Sequence, residues 1–202
     1  GDATGDTLSG TFKHVIGGDG NDVLTPASGG SADAGAGDDT LIGGYGANLI
    51  GGTGSDTVSY AAETGAVNVN LATGSAPDTI SGIEKIIGSA FDNNFKGSKD
   101  ADHMDGGAGN DWLRGLGGSD TLKGGAGNDT FFWEKTDVGA KLGVDHITDF
   151  SAGDVLDFKK LVGVGSKPLN DFVKVTDGAA GSTISAKING VFVDVAVLDN
   201  VH

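Results

Sequence analysis

The chain has 202 residues, 38 of them Gly, with 3 Pro and no Cys, and its 13 Lys and Arg against 28 Asp and Glu leave a formal charge of −15. That balance disfavours nucleic acid and anionic lipid as partners and makes cations the natural counterpart. So much Gly disfavours a helical core, the period-three Gly of collagen is missing, no disulfide or thiolate site can form, and no apolar run reaches the roughly 18 residues of a membrane-spanning helix.

The opening GDATGDTLSG has neither the basic nor the apolar region of a signal peptide, and no initiator Met, so the chain reads as a fragment of something longer. The dominant signal that follows is the nonapeptide Gly-Gly-x-Gly-x-Asp-x-U-x, with U a large apolar residue. A first block, residues 1–59, carries it as GGDGNDVLT from Gly17 and GGTGSDTVS from Gly51, with AGAGDDTLI from Ala34 losing only its first Gly. These copies are spaced by seventeen, because the slots at Pro26 and Gly43 are short or degenerate. Residues 60–87 read as an insertion. In the second block, residues 88–132, copies start at 88, 97, 106, 115 and 124, a strict period of nine that includes GGAGNDWLR from Gly106 and GGAGNDTFF from Gly124. After Phe132 the repeat stops. Residues 133–202 read as a cap, in which FVKVT from Phe172, TISAKI from Thr183 and VFVDVAVL from Val191 alternate like a small antiparallel β unit.

Each nonapeptide supplies a tight glycine turn, which needs positive φ, and a short strand with one inward apolar side chain. Two of them close one circuit of a flattened solenoid, so the expected fold is all-β, a parallel β-roll in two blocks, which form two rolls, or one continuous roll if residues 60–87 bulge out or add irregular coils. The residues expected in its core are Leu24, Leu41, Ile50, Val58, Phe95, Met104, Leu113, Leu122 and Phe131.

On this arrangement one edge of the first block stacks Asp22, Asp39 and Asp56, and the opposite edge carries Asp33 and Asn48. One edge of the second block stacks Asn93, Asp111 and Asp129, and the other stacks Asp102 and Asp120. Stacked carboxylates repel one another unless a hard cation lies between them. Ca²⁺ suits the position, because it takes carboxylate and carbonyl oxygens in flexible geometry, whereas Mg²⁺ demands near-ideal octahedra. The turn glycines Gly18, Gly20, Gly35, Gly37, Gly52, Gly54, Gly107, Gly109, Gly118, Gly125 and Gly127 expose the carbonyls for several such ions. Asn93 adds an oxygen but no charge. Asp149, among Asp145, Asp154 and Asp157, is a candidate for one more site near the cap.

Other chemistry finds little support. DADHMDG from Asp100 fails as an EF-hand loop, since Met104 and Asp105 stand where a ligand and a Gly are needed. His14, His103, His146 and His202 show no zinc spacing, and neither a P-loop nor a nucleophile elbow occurs. The abundant carboxylates are better read as cation ligands than as a glycosidase pair, so no catalytic residue is assigned.

The two blocks resemble the RTX, or haemolysin-type, calcium-binding repeats that build the parallel β-roll. Asp56 to Asn94 resembles the insertion often seen between such blocks, and VDHITDFSAGDVLDF from Val144 is similar to the segment that caps the roll. The resemblance implies a secreted, extracellular bacterial module, with the type I secretion apparatus as partner and the last tens of residues as an uncleaved export signal. It further implies folding on calcium after export, in support of a larger protein whose catalytic activity, if any, lies on an N-terminal domain. The alternative is a calcium-dependent module that grips anionic polysaccharide or tethers an adhesin to a cell surface, with Trp112, Arg114 and Trp133 as dispersed candidates for contact.

Overall fold

Turn and strand alternate along the chain as the nonapeptide dictates, in a computed structural model that describes residues 4–44, 46–137, 143–163, 168–179 and 181–199. The first block runs through β1 (Thr7–Ser9), β2 (His14–Asp19), β3 (Val23–Thr25), β4 (Ser31–Ala36), β5 (Thr40–Ile42), β6 (Asn48–Thr53) and β7 (Thr57–Ser59). The segment read as an insertion adds β8 (Asn68–Asn70), β9 (Thr79–Ser81) and β10 (Lys85–Ile87). The second block holds β11 (Asn94–Lys96), β12 (His103–Ala108), β13 (Trp112–Arg114), β14 (Thr121–Ala126) and β15 (Thr130–Phe132). Beyond it lie β16 (Asp145–Ile147), β17 (Val155–Asp157), helix α1 (Lys159–Val162), β18 (Val173–Gly178), β19 (Gly181–Ile188) and β20 (Val191–Asp199).

Strands from alternate turns stack in parallel. One face is a single sheet in the order β1-β3-β5-β7-β10-β12-β14-β16-β20-β19-β18, and the other is divided into β2-β4-β6-β9 and β17-β15-β13-β11-β8. The expectation of two separate rolls therefore gives way to one shared sheet, because β10 pairs with β7 on one side and β12 on the other. Only the opposite face is interrupted. There the chain runs forward to β8, which pairs with β11, and then turns back through 71–78 to β9, which pairs with β6. The turn is closed by Asn70 N–H to Ser75 O at 2.6 Å and Ile80 N–H to Gly74 O at 3.1 Å.

The core is two files of apolar side chains, one per strand, enclosed between the faces. Along the continuous sheet Leu24, Leu41, Val58, Ile86, Met104, Leu122 and Ile147 follow one another in register. Opposite them run Val15, Ala32, Leu49 and Ile80, then Val69, Phe95, Leu113 and Phe131. All of these are buried, and a side chain of Leu size contributes roughly 1.5–3 kcal/mol on leaving water. Leu49, not Ile50, holds the inward position, because the degenerate slot at Gly43 is one residue short and shifts the strand register.

The roll also outlasts the legible repeat. β16 pairs with β14 and β17 with β15, so residues read as cap add a further strand to each face. The alternating C-terminal segments do form an antiparallel unit of β18, β19 and β20, which joins the long sheet through β16 and β20. Leu161 and Val162 of α1 are buried, and Trp133 stacks on Phe158 at 4.6 Å between ring centroids.

Candidate metal centre

Every Gly-Gly-x-Gly-x-Asp turn ends in an Asp whose position is set by the neighbouring coils. On the edge that enters the continuous sheet, Asp22 Oδ1 accepts the N–H of Asp6 at 2.6 Å, Asp39 Oδ1 that of Asp22 at 2.7 Å and Asp56 Oδ1 that of Asp39 at 2.9 Å. Further along the same edge Asp120 Oδ1 accepts from Asp102 N–H at 2.9 Å, and Asp145 Oδ1 from Asp120 N–H at 3.1 Å. On the opposite edge Asp111 Oδ1 accepts from Asn93 N–H at 2.7 Å, Asp129 Oδ1 from Asp111 N–H at 2.8 Å, and Asp154 Oδ1 from Asp129 N–H at 2.9 Å. One carboxylate oxygen per turn is thus spent on a ladder that ties each coil to the next.

The second oxygen is left over. Oδ2 of Asp22, Asp39, Asp56, Asp111, Asp120 and Asp129 is buried and meets no donor. A buried carboxylate oxygen without a donor costs several kcal/mol, so an unmatched row of them calls for a counter-charge. Backbone carbonyls gather at the same places. A Cβ on Gly17 would collide with Asp22 Oδ2 and with the carbonyl of Ala34 in the next coil, and one on Gly106 with Asp111 Oδ2 and the carbonyl of Gly124. Glycine at the first position of the repeat keeps open the space into which these oxygens converge. Among the described residues no three His, Asp or Glu side chains gather as a metal cluster. Any cation here is held by paired carboxylates and main-chain carbonyls, an all-oxygen set that fits Ca²⁺ and offers nothing to a soft metal.

The electrostatics agree. Burial pushes the carboxyls of Asp56, Asp102 and Asp111 up to about 6, with like charges nearby adding to the shift, Asp39 and Glu84 at Asp56, Asp129 and Asp92 at Asp111. Asp39, Asp120 and Asp129 move in the same direction, burial again leading and Asp145 repelling Asp120. A divalent cation between such groups reverses this preference for the neutral form.

The structure brings together the pairs 22/39, 39/56, 102/120 and 111/129, and the turn glycines Gly18, Gly20, Gly35, Gly37, Gly52, Gly54, Gly107, Gly109, Gly118, Gly125 and Gly127 all take positive φ. Asp102 differs in that its Oδ2 accepts the N–H of Ser98 at 2.6 Å. Asp33 and Asn48 do not stack. Asp33 faces Ile50 and Asn48 faces Ser31 across the ladder, because the short slots displace both from the end of their turns. Asp149 lies beside the last glycine turn, where its Oδ1 and Oδ2 accept the N–H groups of Gly124 at 3.0 Å and Gly125 at 2.8 Å.

Asn93 has a part of its own. Its Oδ1 accepts from Val67 N–H and Ser89 Oγ, while its Nδ2 donates to the carbonyls of Phe91 at 2.6 Å and Gly106 at 2.9 Å and to Asp111 Oδ1 at 3.1 Å. The amide nitrogen stands where the neighbouring Asp residues present a bare oxygen, so this turn carries a donor of its own at that place.

Several residues extend the ladders without belonging to a legible repeat, namely Glu84, Asp145 and Asp154. Asp78 does the same on the divided face, where its Oδ1 accepts Ala47 N–H at 2.7 Å. The short strings VDHI and GDVLD, each an Asp two residues before an apolar one, were the available signal for Asp145 and Asp154. A counter-running ladder from the preceding repeat position was also missed. Asp38 N–H donates to Asn21 Oδ1, Ser55 N–H to Asp38 Oδ1 and Asn128 N–H to Asn110 Oδ1, which accounts for the Asn or Asp that stands before the sixth-position Asp in several turns.

Of the residues considered for carbohydrate contact, two are enclosed. Trp133 is buried and donates through Nε1 to Asp145 Oδ2 at 2.8 Å, and Arg114 is buried against Asp137 and Glu134. Trp112 is half-buried and leans on Phe132 at 4.9 Å.

A parallel roll in which six turns end in a buried carboxylate with an unmatched oxygen defines a calcium-binding β-roll. The RTX calcium-binding nonapeptide repeat matches this chain in four copies, at residues 14–30, 31–58, 78–113 and 105–132, and through them the chain belongs to the RTX calcium-binding repeat family. No curated protein matches it. Among solved structures it is similar to the extracellular lipase LipA from Serratia marcescens, with 17% sequence identity and a TM-score of 0.27 over 100% of this chain and 39% of that one.

Proposed function

We propose that this calcium-binding roll is a folding switch of a type I secreted bacterial protein, unfolded before export and folded by extracellular Ca²⁺, after which it scaffolds the larger protein to which it belongs. Asp22, Asp39, Asp56, Asp102, Asp111, Asp120 and Asp129 are the carboxylate ligands, and the turn glycines supply carbonyls. The observation that carries this reading is the row of buried Asp Oδ2 atoms without donors. At a net charge of −15, with one apolar side chain per turn to offset chain entropy, such a row destabilises the calcium-free roll. Each bound ion stabilises the fold by RT ln(1 + [L]/Kd), about 2.7 kcal/mol at a hundredfold excess over Kd. Because every ion joins adjacent coils, stabilisation spreads along the stack.

The test is a titration of the chain from chelator into Ca²⁺ and, separately, Mg²⁺, followed by far-ultraviolet circular dichroism. A cooperative gain of β signal with Ca²⁺ alone is expected. Full β signal in chelator overturns the folding switch.

A further inference from the structure

The insertion between the blocks contains a coil that the nonapeptide does not describe. Its sequence, SGIEKII from Ser81, has one Gly and no Asp, yet β10 lies between β7 and β12 with Ile86 fully buried in the same file as Val58 and Met104. Glu84 stands at the end of the turn, where the other coils have Asp. Its Oε2 accepts the N–H of Asp56 at 2.9 Å, the same bond that Asp39 and Asp56 make to the coils before them. Its carbonyl receives His103 N–H at 2.8 Å, and its own N–H donates to Asp56 O at 3.1 Å, so the backbone is fixed from both neighbouring blocks.

Asp56 is fully buried and its Oδ2 meets no donor. The space above Gly51, which a Cβ would fill, is bounded by that oxygen and by the carbonyl of Gly82, a residue held at φ 61°. The carbonyl of Ala34 stands in the same relation to Asp22 Oδ2, and that of Gly124 to Asp111 Oδ2. In the nonapeptide the first glycine and its Asp are five positions apart, but Gly82 and Glu84 are two apart. The additional methylene of Glu lets its carboxylate span to Asp56 from this shortened turn.

We infer that Asp56, Glu84 and the carbonyl of Gly82 hold a further Ca²⁺ at the junction of the blocks, and that this ion makes the two blocks one cooperative unit. The inference rests on the calcium-binding reading above and adds a ligand outside the repeat. It gives Glu84 a purpose that a solvated turn residue lacks, since the last coil of the first block then has a liganding partner in the coil that β12 packs upon.

The experiment compares wild type with Glu84→Gln, which keeps an oxygen to accept Asp56 N–H but removes the charge, and with Asp171→Asn, an exposed change of equal charge outside the roll. Equilibrium dialysis with radiolabelled calcium gives the stoichiometry. Far-ultraviolet circular dichroism reports all coils, and tryptophan fluorescence reports only the second block and cap, where both Trp residues lie. Glu84→Gln is expected to bind one ion fewer and to separate the two optical transitions along the calcium titration, while Asp171→Asn matches wild type. A Glu84→Gln chain with the wild-type stoichiometry and coincident transitions overturns the junction site. If wild type itself binds no calcium, the broader reading fails instead.

Discussion

Asn93→Asp isolates what a cation does in a turn, because the structure supplies the calcium-free solution at this one coil. The Asn93 amide donates two well-formed bonds to carbonyls, at 2.6 Å to Phe91 and 2.9 Å to Gly106, and a longer one to Asp111 Oδ1. At about 1 kcal/mol for each good bond, plus about 1–3 kcal/mol for a buried acceptor left without a donor, the Asp variant loses roughly 3–5 kcal/mol in chelator. In Ca²⁺ the same carboxylate faces Asp111 across an oxygen-lined turn and forms a site like that of Asp111 and Asp129. An ion there at a hundredfold excess over its Kd returns about 2.7 kcal/mol. The variant is therefore less stable than wild type in chelator, close to it in saturating Ca²⁺, and binds one additional ion. Urea unfolding in saturating Ca²⁺, the calcium midpoint of folding from chelator, and a calorimetric stoichiometry measure all three. A variant that folds at no higher calcium than wild type, or with no added ion, refutes the view that the amide stands in for the cation.

Further outcomes follow from other parts of the roll. Leu113→Ala, at a fully buried position, is expected to cost about 2–5 kcal/mol in saturating Ca²⁺, read from the urea midpoint. Gly107→Ala places a Cβ at φ 102° against the carbonyl of Ser89, a conformational cost of about 1–2 kcal/mol before the collision is counted, whereas Gly65→Ala meets open space and leaves the thermal midpoint unchanged. In chelator the folded fraction should fall as pH rises. Carboxyls that titrate near 6 in the roll and at their ordinary 3.8 when unfolded give stability that is complete below about 3.8 and is lost as pH climbs through 6. Circular dichroism of the chelated chain at pH 5 and 7.5 checks this. In Ca²⁺ the order reverses, because protons compete with the ion for the same oxygens.

The roll was legible wherever the nonapeptide survives, because a glycine turn and one inward apolar residue fix both geometry and register. Asp22, Asp39, Asp111 and Asp129 follow from that period directly. Glu84 was not legible, since a turn shortened to Gly-Ile-Glu replaces the usual spacing with a longer side chain. The repeat pattern points to Ile50 in place of Leu49 as the core residue for a related reason. A one-residue deletion in a strand of alternating sides exchanges inside for outside, and only the pairing with Ala32 and Ile80 reveals it. Asn93 was read for its oxygen, while its nitrogen carries the contact, a distinction that depends on which groups surround it in three dimensions. The continuity of the two blocks depends on β10, whose string KII carries no sign of its neighbours.

The sheet that runs unbroken past the insertion and the face that is divided there have a mechanical consequence. A beam with one continuous flange and one cut flange is stiff along its length and compliant at the cut. In this roll the cut face is joined across β8 and β9 by the turn through 71–78, while β7, β10 and β12 carry the other face without interruption. The intact sheet thus forms a spine, while across the divided face the ladder passes through the short antiparallel bridges of Asn70 and Thr79 to Ser75.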